Sequence, residues 1–234
     1  MSIEPNKIKV VSFDLDNTLY DNVPVIERAY NKLYDFLRTN YENLNRLTLE
    51  QFMQTAHEVI EQHPELHYDV SRLRQLHIES LFQSHDVQTG DPAQAFEAFL
   101  NARQDIELYP GVITLLSELK PHYPLVSLTN GNADPERFGL AGIFEARFTA
   151  SDAGALKPHP ECFDQVTRSM NIQPGQLLHI GDGVNNDFLG ALNFGAQAIW
   201  YNPKNEPLPD SAIGLGGFET ISELSQIREL LLGN

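Results

Sequence analysis

Two aspartates stand two residues apart in Phe13-Asp14-Leu15-Asp16-Asn17-Thr18, directly after an apolar run. Far along the chain Thr129-Asn130 ends a second such run, Lys157 precedes a proline, and Asp182 and Asp187 follow a third. Thr129 to Lys157 spans 28 residues and Lys157 to Asp182 spans 25. Both are close to the ~30 residues of a strand–helix–strand unit, so these groups can converge at one end of a sheet. Four carboxylates beside one lysine leave three surplus negative charges, which repel strongly in a low-dielectric cleft. A divalent cation removes most of that surplus. Donors that are all oxygen suit Mg2+, which keeps several waters and binds through a few carboxylates plus a substrate phosphate. The set therefore fits magnesium-assisted phosphoryl transfer. Taken singly, each piece has a plainer reading. An Asp-x-Asp is commonly a turn or a helix cap, Thr129-Asn130-Gly131 is a good turn, and Lys157-Pro158 suits a solvated loop. Asp182 and Asp187 could cap the next helix. Only a shared site explains acids gathered at several strand ends.

The elements that must position these groups are legible from periodicity. Lys7–Asp14 reads as a short buried strand. From Pro24 to about Arg103 the texture is helical, with Val25, Ala29, Leu33 and Phe36 recurring on one face and Pro24 suited to a first turn. Thr48 with Gln51 forms a capping-box pattern, Pro64 ends that helix, Asp69–Phe82 is a third helix, and Asp91-Pro92 opens a fourth. After Tyr109-Pro110-Gly111 the rhythm alternates: helix 112–119, strand 125–128, a short strand near 147–150, helix 160–170, strand 177–181, helix 186–194 and strand 197–201. Thr220 and Glu223 read as caps of a last helix. Alternation of this kind predicts an α/β doubly wound parallel sheet. The helical block is too long for a crossover and reads as an insertion. The expected division is a core of residues 1–19 and 106–234 and a helical cap of residues 20–105.

On these motifs the sequence resembles the haloacid dehalogenase-like superfamily. FDLDNT, SLTN, Lys157 and GDGVNND match its four motifs in order, and the likeness spans essentially the whole chain. It implies Asp14 as nucleophile and Asp16 as general acid, then base. It also implies Thr129, Asn130 and Lys157 around the phosphoryl group, and Mg2+ held by Asp14, Asp182 and the Asp16 carbonyl. Asp187 would hold a metal-bound water or Lys157. Within the superfamily, FDLDNTLYDNVPV, HYDVSRLR and PLVSLTNGNADPERFGL are similar to bacterial cap-bearing phosphatases of riboflavin biosynthesis. That implies a small phosphorylated metabolite such as 5-amino-6-(5-phospho-D-ribitylamino)uracil or FMN. Tyr20 is expected at the cap–core hinge as a substrate-binding residue, and Arg72 as the cap arginine that meets substrate. Rival readings are a broad-specificity sugar or nucleotide phosphatase, a phosphomutase, a halocarboxylate dehalogenase and a phospho-acceptor signalling module. Asp16 argues against the dehalogenase, because a departing halide needs no proton. The length argues against the module, which needs no cap.

Charge and composition exclude other classes. Thirty-two acids against 16 bases give −16, the wrong sign for a surface that holds nucleic acid or an anionic membrane. A single cysteine, Cys162, excludes an internal disulfide. The N-terminus lacks the basic start and apolar run of a secretory leader, and no stretch approaches the ~18 apolar residues of a membrane span. A cytoplasmic protein is expected. His63 and His67 imitate a metal pair, but Pro64 breaks the helix between them. Gly214-Leu215-Gly216-Gly217 lacks the spacing of a phosphate loop.

Overall fold

The computed structural model describes residues 2–233. After β1 (Val10–Phe13) come four helices, α1 (Asn22–Asn40), α2 (Leu49–Gln62), α3 (Val70–Ser84) and α4 (Pro92–Arg103). The chain then alternates through α5 (Val112–Leu119), β2 (Leu125–Thr129), β3 (Ala146–Thr149), α6 (Ala150–Ala153), α7 (Pro160–Ser169) and β4 (Leu177–Gly181). It ends with α8 (Gly190–Phe194), β5 (Gln197–Tyr201), β6 (Phe218–Ile221) and α9 (Gln226–Leu232). Two compact units result: residues up to Asp21 together with those from Glu107 on, and Asn22–Ile106.

The first unit is an α/β doubly wound fold. Its six parallel strands lie in the order β3-β2-β1-β4-β5-β6. Val11 pairs with Leu125 on one side of β1, and Val10 with Leu177 on the other. Central strands of such a sheet are buried on both faces, which is why they read as unbroken apolar runs. Val10 packs with Phe163 and Val166 of α7 and with Leu177, while Val11 and Phe13 point to the opposite face and are equally buried. Strand order reverses between β1 and β4. Such a switch point opens a crevice beyond the carboxyl ends of the strands, and Asp14 and Asp182 follow those two ends directly.

The second unit is wholly helical. Ala29, Leu33 and Leu37 of α1 bury one face against Phe52, Ile78, Leu81 and Phe99. Each fully buried leucine contributes roughly 1.5–3 kcal/mol. Polar signals in the sequence fix the helix starts. Thr48 and Gln51 form the reciprocal capping box of α2, and Asp69 and Asp91 accept from the first-turn amides of α3 and α4. Arg74 lies over the Tyr30 and Phe99 rings, at 4.1 and 5.1 Å from their centroids. It also donates to His77 Nδ1 at 3.0 Å. Burial, then the Arg74 charge, pushes His77 down to about 3, so the ring is neutral and its Nε2–H donates to Phe52 O.

Three elements differ from the sequence reading. Thr220 is not a helix cap: it lies in β6 opposite Trp200, where this short segment pairs with the edge of β5. The start of α9 is held by Gln226, whose side chain accepts from the amides of Ser222 and Glu223. The helix expected at 186–194 opens as a wider π turn over Val184–Leu189, in which the Phe188 amide reaches back to Gly183 O. Finally, α1 begins at Asn22 rather than Pro24. No helix among the described residues is long and apolar enough to cross a membrane.

Candidate active site

Asp14 is buried at the tip of β1, its amide bonded to Ile180 O of β4 at 2.8 Å. Asn17 takes a left-handed backbone (φ 61°) and turns the loop, which brings Thr18 back over Asp14. The Thr18 hydroxyl donates to Asp14 Oδ2 at 3.0 Å and accepts from the Asp182 amide at 3.0 Å, tying the two strand tips together.

Lys157 is the hub. Its ammonium has three protons, and three acceptors take them: Asp14 Oδ1 at 2.7 Å, Asp187 Oδ1 at 2.6 Å and Leu128 O at 2.7 Å. Asn130 clamps its backbone, accepting from Lys157 N at 2.7 Å and donating to Lys157 O at 3.2 Å. Asp187 also accepts from His179 Nε2 at 2.9 Å and from the Gly183 amide at 2.9 Å. A Cβ at Gly181 or Gly183 would run into the Asp187 carboxylate, so both positions require glycine.

These contacts set the charges. Burial alone would favour a neutral Lys157, but Asp14 and Asp187 outweigh it and hold the ammonium above its usual range. Burial would likewise raise Asp187, yet Lys157 and the His179 hydrogen bond carry it below the ordinary carboxylate range. Asp14 goes the other way. Burial raises it well above 3.8, with Asp187 and Asp16 adding to the push against Lys157. Burial, then the Asp187 charge, lifts Asp182 to about 6. One ammonium thus stabilises one buried carboxylate fully and leaves Asp14 and Asp182 short of positive charge.

Oxygens of Asp14, Asp182 and Asp187 lie within 4.8 Å of one another. Asp182 Oδ2 takes no protein donor among the described residues, and Oδ1 meets only the Thr18 hydroxyl at 3.3 Å. A hard divalent cation fits this donor set, and Mg2+ suits its oxygen-only chemistry. Asp14 and Asp182 have acceptor capacity to spare for such an ion, whereas Asp187 already accepts from three protein donors.

Residues 8–195 match the model of the haloacid dehalogenase-like hydrolases. The chain belongs to this family. It is 33% identical over 206 residues to the Escherichia coli 5-amino-6-(5-phospho-D-ribitylamino)uracil phosphatase YigB, covering 86% of this chain and 87% of that one. It is 29% identical to the glyceraldehyde 3-phosphate phosphatase of Pyrococcus furiosus, covering 96% and 93%. A crystal structure described as a 2-haloacid dehalogenase from Pseudomonas syringae superposes with a TM-score of 0.85 at 32% identity, covering 96% and 98%. The curated relatives are phosphatases, and the chain is a phosphatase of this haloacid dehalogenase-like family.

Within this family member, the structure gathers Asp14, Thr129, Lys157, Asp182 and Asp187 at one end of the sheet. Thr129 is buried at the tip of β2, its hydroxyl accepting from Gly131 N at 2.9 Å. The Asp16 carboxylate is not part of the three-acid cluster and is held by the Tyr20 hydroxyl. Two expectations change. Tyr20 cannot contact a substrate: its ring is wholly buried, edge-on to Phe138, and its backbone bridges Leu108. Asn130 spends its amide on the Lys157 backbone rather than standing ready for a phosphoryl group. Arg72 pairs with Glu79 at 2.9 Å and Gln75 at 3.3 Å on the surface of the helical unit. Cys162 is inert, buried with its thiol donating to Ala155 O and pushed up to about 11 by burial. The sequence reading missed His179 and Ser12. Their signal was a polar residue inside each of two otherwise apolar strands, VVSF and LLHIG.

Proposed function

We propose that the chain is a magnesium-dependent phosphomonoesterase that works through an aspartyl-phosphate at Asp14. What carries this reading is the different setting of the two loop aspartates. Asp14 is buried with Oδ1 on the Lys157 ammonium and Oδ2 under the Thr18 hydroxyl, whereas the Asp16 carboxylate lies outside the acid cluster and is held by Tyr20. The two aspartates can therefore take different roles two residues apart. Asp14 attacks phosphorus and the ester P–O bond breaks. Asp16 delivers its proton to the departing alkoxide and then takes one from the water that attacks the phosphoaspartate, so Asp14 and inorganic phosphate are released. Thr129 and Lys157 supply hydrogen bonds and charge to the phosphoryl oxygens. Mg2+, held by Asp14, Asp182 and the Asp16 carbonyl, would neutralise the phosphate and orient it.

The substrate reading is a small phosphorylated metabolite, with 5-amino-6-(5-phospho-D-ribitylamino)uracil first and FMN second. Support comes from the relationship to YigB across most of both chains. The helical unit would act as the cap that selects among esters, with Arg72 as its recognition residue. The likeness to the Pseudomonas syringae structure favours a second reading, halide displacement from a 2-haloacid. Asp16 weighs against it, since halide leaves without a proton. Phosphate release from the two flavin-related esters and several sugar phosphates, alongside halide release from 2-chloropropionate, tests both. Asp14→Asn should abolish steady-state turnover; a sugar phosphate preferred by more than about tenfold, some 1.4 kcal/mol, overturns the flavin-precursor assignment.

A further inference from the structure

Ser12 and His179 sit inside β1 and β4 and are direct partners across the sheet. Both are wholly buried. Ser12 Oγ lies 2.7 Å from His179 Nδ1, and His179 Nε2 lies 2.9 Å from Asp187 Oδ1. We propose that this pair is a positioning device: it locks Asp187 in the orientation that holds the Lys157 ammonium on Asp14. The proposal rests on the phosphatase reading above, and it assigns His179 and Ser12 a part in catalysis without contact to substrate.

The proton count supports it. An Asp187 carboxylate that receives an ammonium is an acceptor only, so His179 Nε2 must carry a proton and donate it. Burial keeps the ring neutral, which makes Nδ1 an acceptor. The single Ser12 hydroxyl proton then goes to Nδ1 at 2.7 Å rather than to Leu178 O at 3.4 Å. The result is one directed chain from Ser12 to His179 to Asp187, met from the other side by Lys157, which also reaches Asp14. The opposite tautomer would turn a ring lone pair onto the Asp187 carboxylate. Phe163 stands edge-on to the imidazole at 5.3 Å and limits its rotation. Stability does not require such a pair. Replacing both partners of a buried hydrogen bond by apolar groups of similar shape is often nearly neutral. Its distinctive effect is on Asp187, which would keep two donors and lose the third.

The test has two arms. First, wild-type enzyme with Mg2+ must hydrolyse p-nitrophenyl phosphate; if it does not, the phosphatase reading itself fails, and the second arm still stands. His179→Leu should lower kcat ~10–100-fold, as loss of a supporting hydrogen bond to a functional carboxylate does. KM should change by less than about threefold, since ground-state binding is untouched. His179→Gln, whose amide nitrogen can reach the Nε2 position, should recover most of the loss. The double variant Ser12→Ala/His179→Leu should melt near wild type yet remain slow. Second, nitrogen NMR of histidine-labelled wild type should show one neutral buried ring protonated at Nε2, with its signal displaced in Ser12→Ala. Any of three results overturns the proposal: His179→Leu with kcat within about threefold of wild type, His179→Gln no better than His179→Leu, or a ring protonated at Nδ1. If His179→Leu does not fold, His179→Gln and the NMR tautomer decide.

Discussion

Replacing Asp182 by asparagine should make the protein more stable and less active, and the gain in stability should vanish in acid. Burial, aided by the Asp187 charge, raises this carboxyl from 3.8 to about 6. A carboxyl whose folded value lies above its unfolded value opposes folding wherever it is ionised. The penalty is absent below about pH 4, where both states hold the proton, grows between pH 4 and 6, and is complete above that range. At about 1.4 kcal/mol per pH unit the full penalty approaches ~3 kcal/mol. Asp182 is partly open to solvent, which screens the penalty to about 1–2 kcal/mol. In a chain of this size each kcal/mol moves Tm by about 2–4 °C. Asp182→Asn should therefore melt about 2–8 °C above wild type at pH 8 in EDTA, and level with it near pH 4. Added Mg2+ should narrow or reverse the difference at pH 8, because a cation that binds the folded wild type stabilises it by mass action. Thermal melts followed by circular dichroism at several pH values, with and without Mg2+, read every part of this. A variant no more stable than wild type at pH 8 in EDTA, or equally favoured at pH 4 and pH 8, refutes the charge argument.

Asp16→Asn should fold normally and lose about 10²–10⁴ in turnover. The phosphorylation step should suffer less for p-nitrophenyl phosphate than for an alkyl phosphate, and equal losses in pre-steady-state kinetics would remove Asp16 as the acid. Tyr20→Phe deletes the hydroxyl that holds Asp16 but keeps the buried ring; kcat should fall roughly tenfold or less with Tm within a few degrees, as expected of one lost hydrogen bond. Unchanged kcat and an unchanged pH profile would show that Asp16 needs no such support. Arg72→Ala breaks an exposed ion pair and should change stability by less than about 1 kcal/mol. As a recognition residue it should lower kcat/KM for the ribityl ester more than for p-nitrophenyl phosphate, and equal effects would exclude it.

The parts of the site that were legible in the sequence are those where a polar residue ends an apolar run. Asp14, Thr129 and Asp182 each mark the point at which a buried strand leaves the sheet, and because the strands are parallel these are all carboxyl ends. Lys157 was legible only through its distance from its neighbours. What the sequence hid was direction within a loop. Tyr20 and Asn130 are polar loop residues that could face a ligand, yet one turns inward to Asp16 and the other to a backbone. His179 was hidden for the opposite reason, being read as part of an apolar strand although a buried imidazole demands partners. Strand β6 escaped because Glu219 and Thr220 break its apolar pattern, and its pairing depends on β5, not on itself.

The helical unit is spliced between β1 and β2, and this dictates an order of assembly. Strand β1 leaves a ribosome well before its register partners, Leu125 and Leu177. At about 5–20 residues per second it waits many seconds for either. The inserted helices share a core of their own and can pack it in the interval. Once folded, they bring their own ends together, since Arg28 near the start of α1 bonds to Asp105 beyond α4. Emergent chain on both sides of the insertion is drawn close as well, through Tyr109 N on Leu19 O at 2.9 Å. Closing the sheet then means closing a loop far shorter than the chain it contains, which lowers the entropy lost in the step. The helices that interrupt the sheet in sequence thus serve as its tether during synthesis.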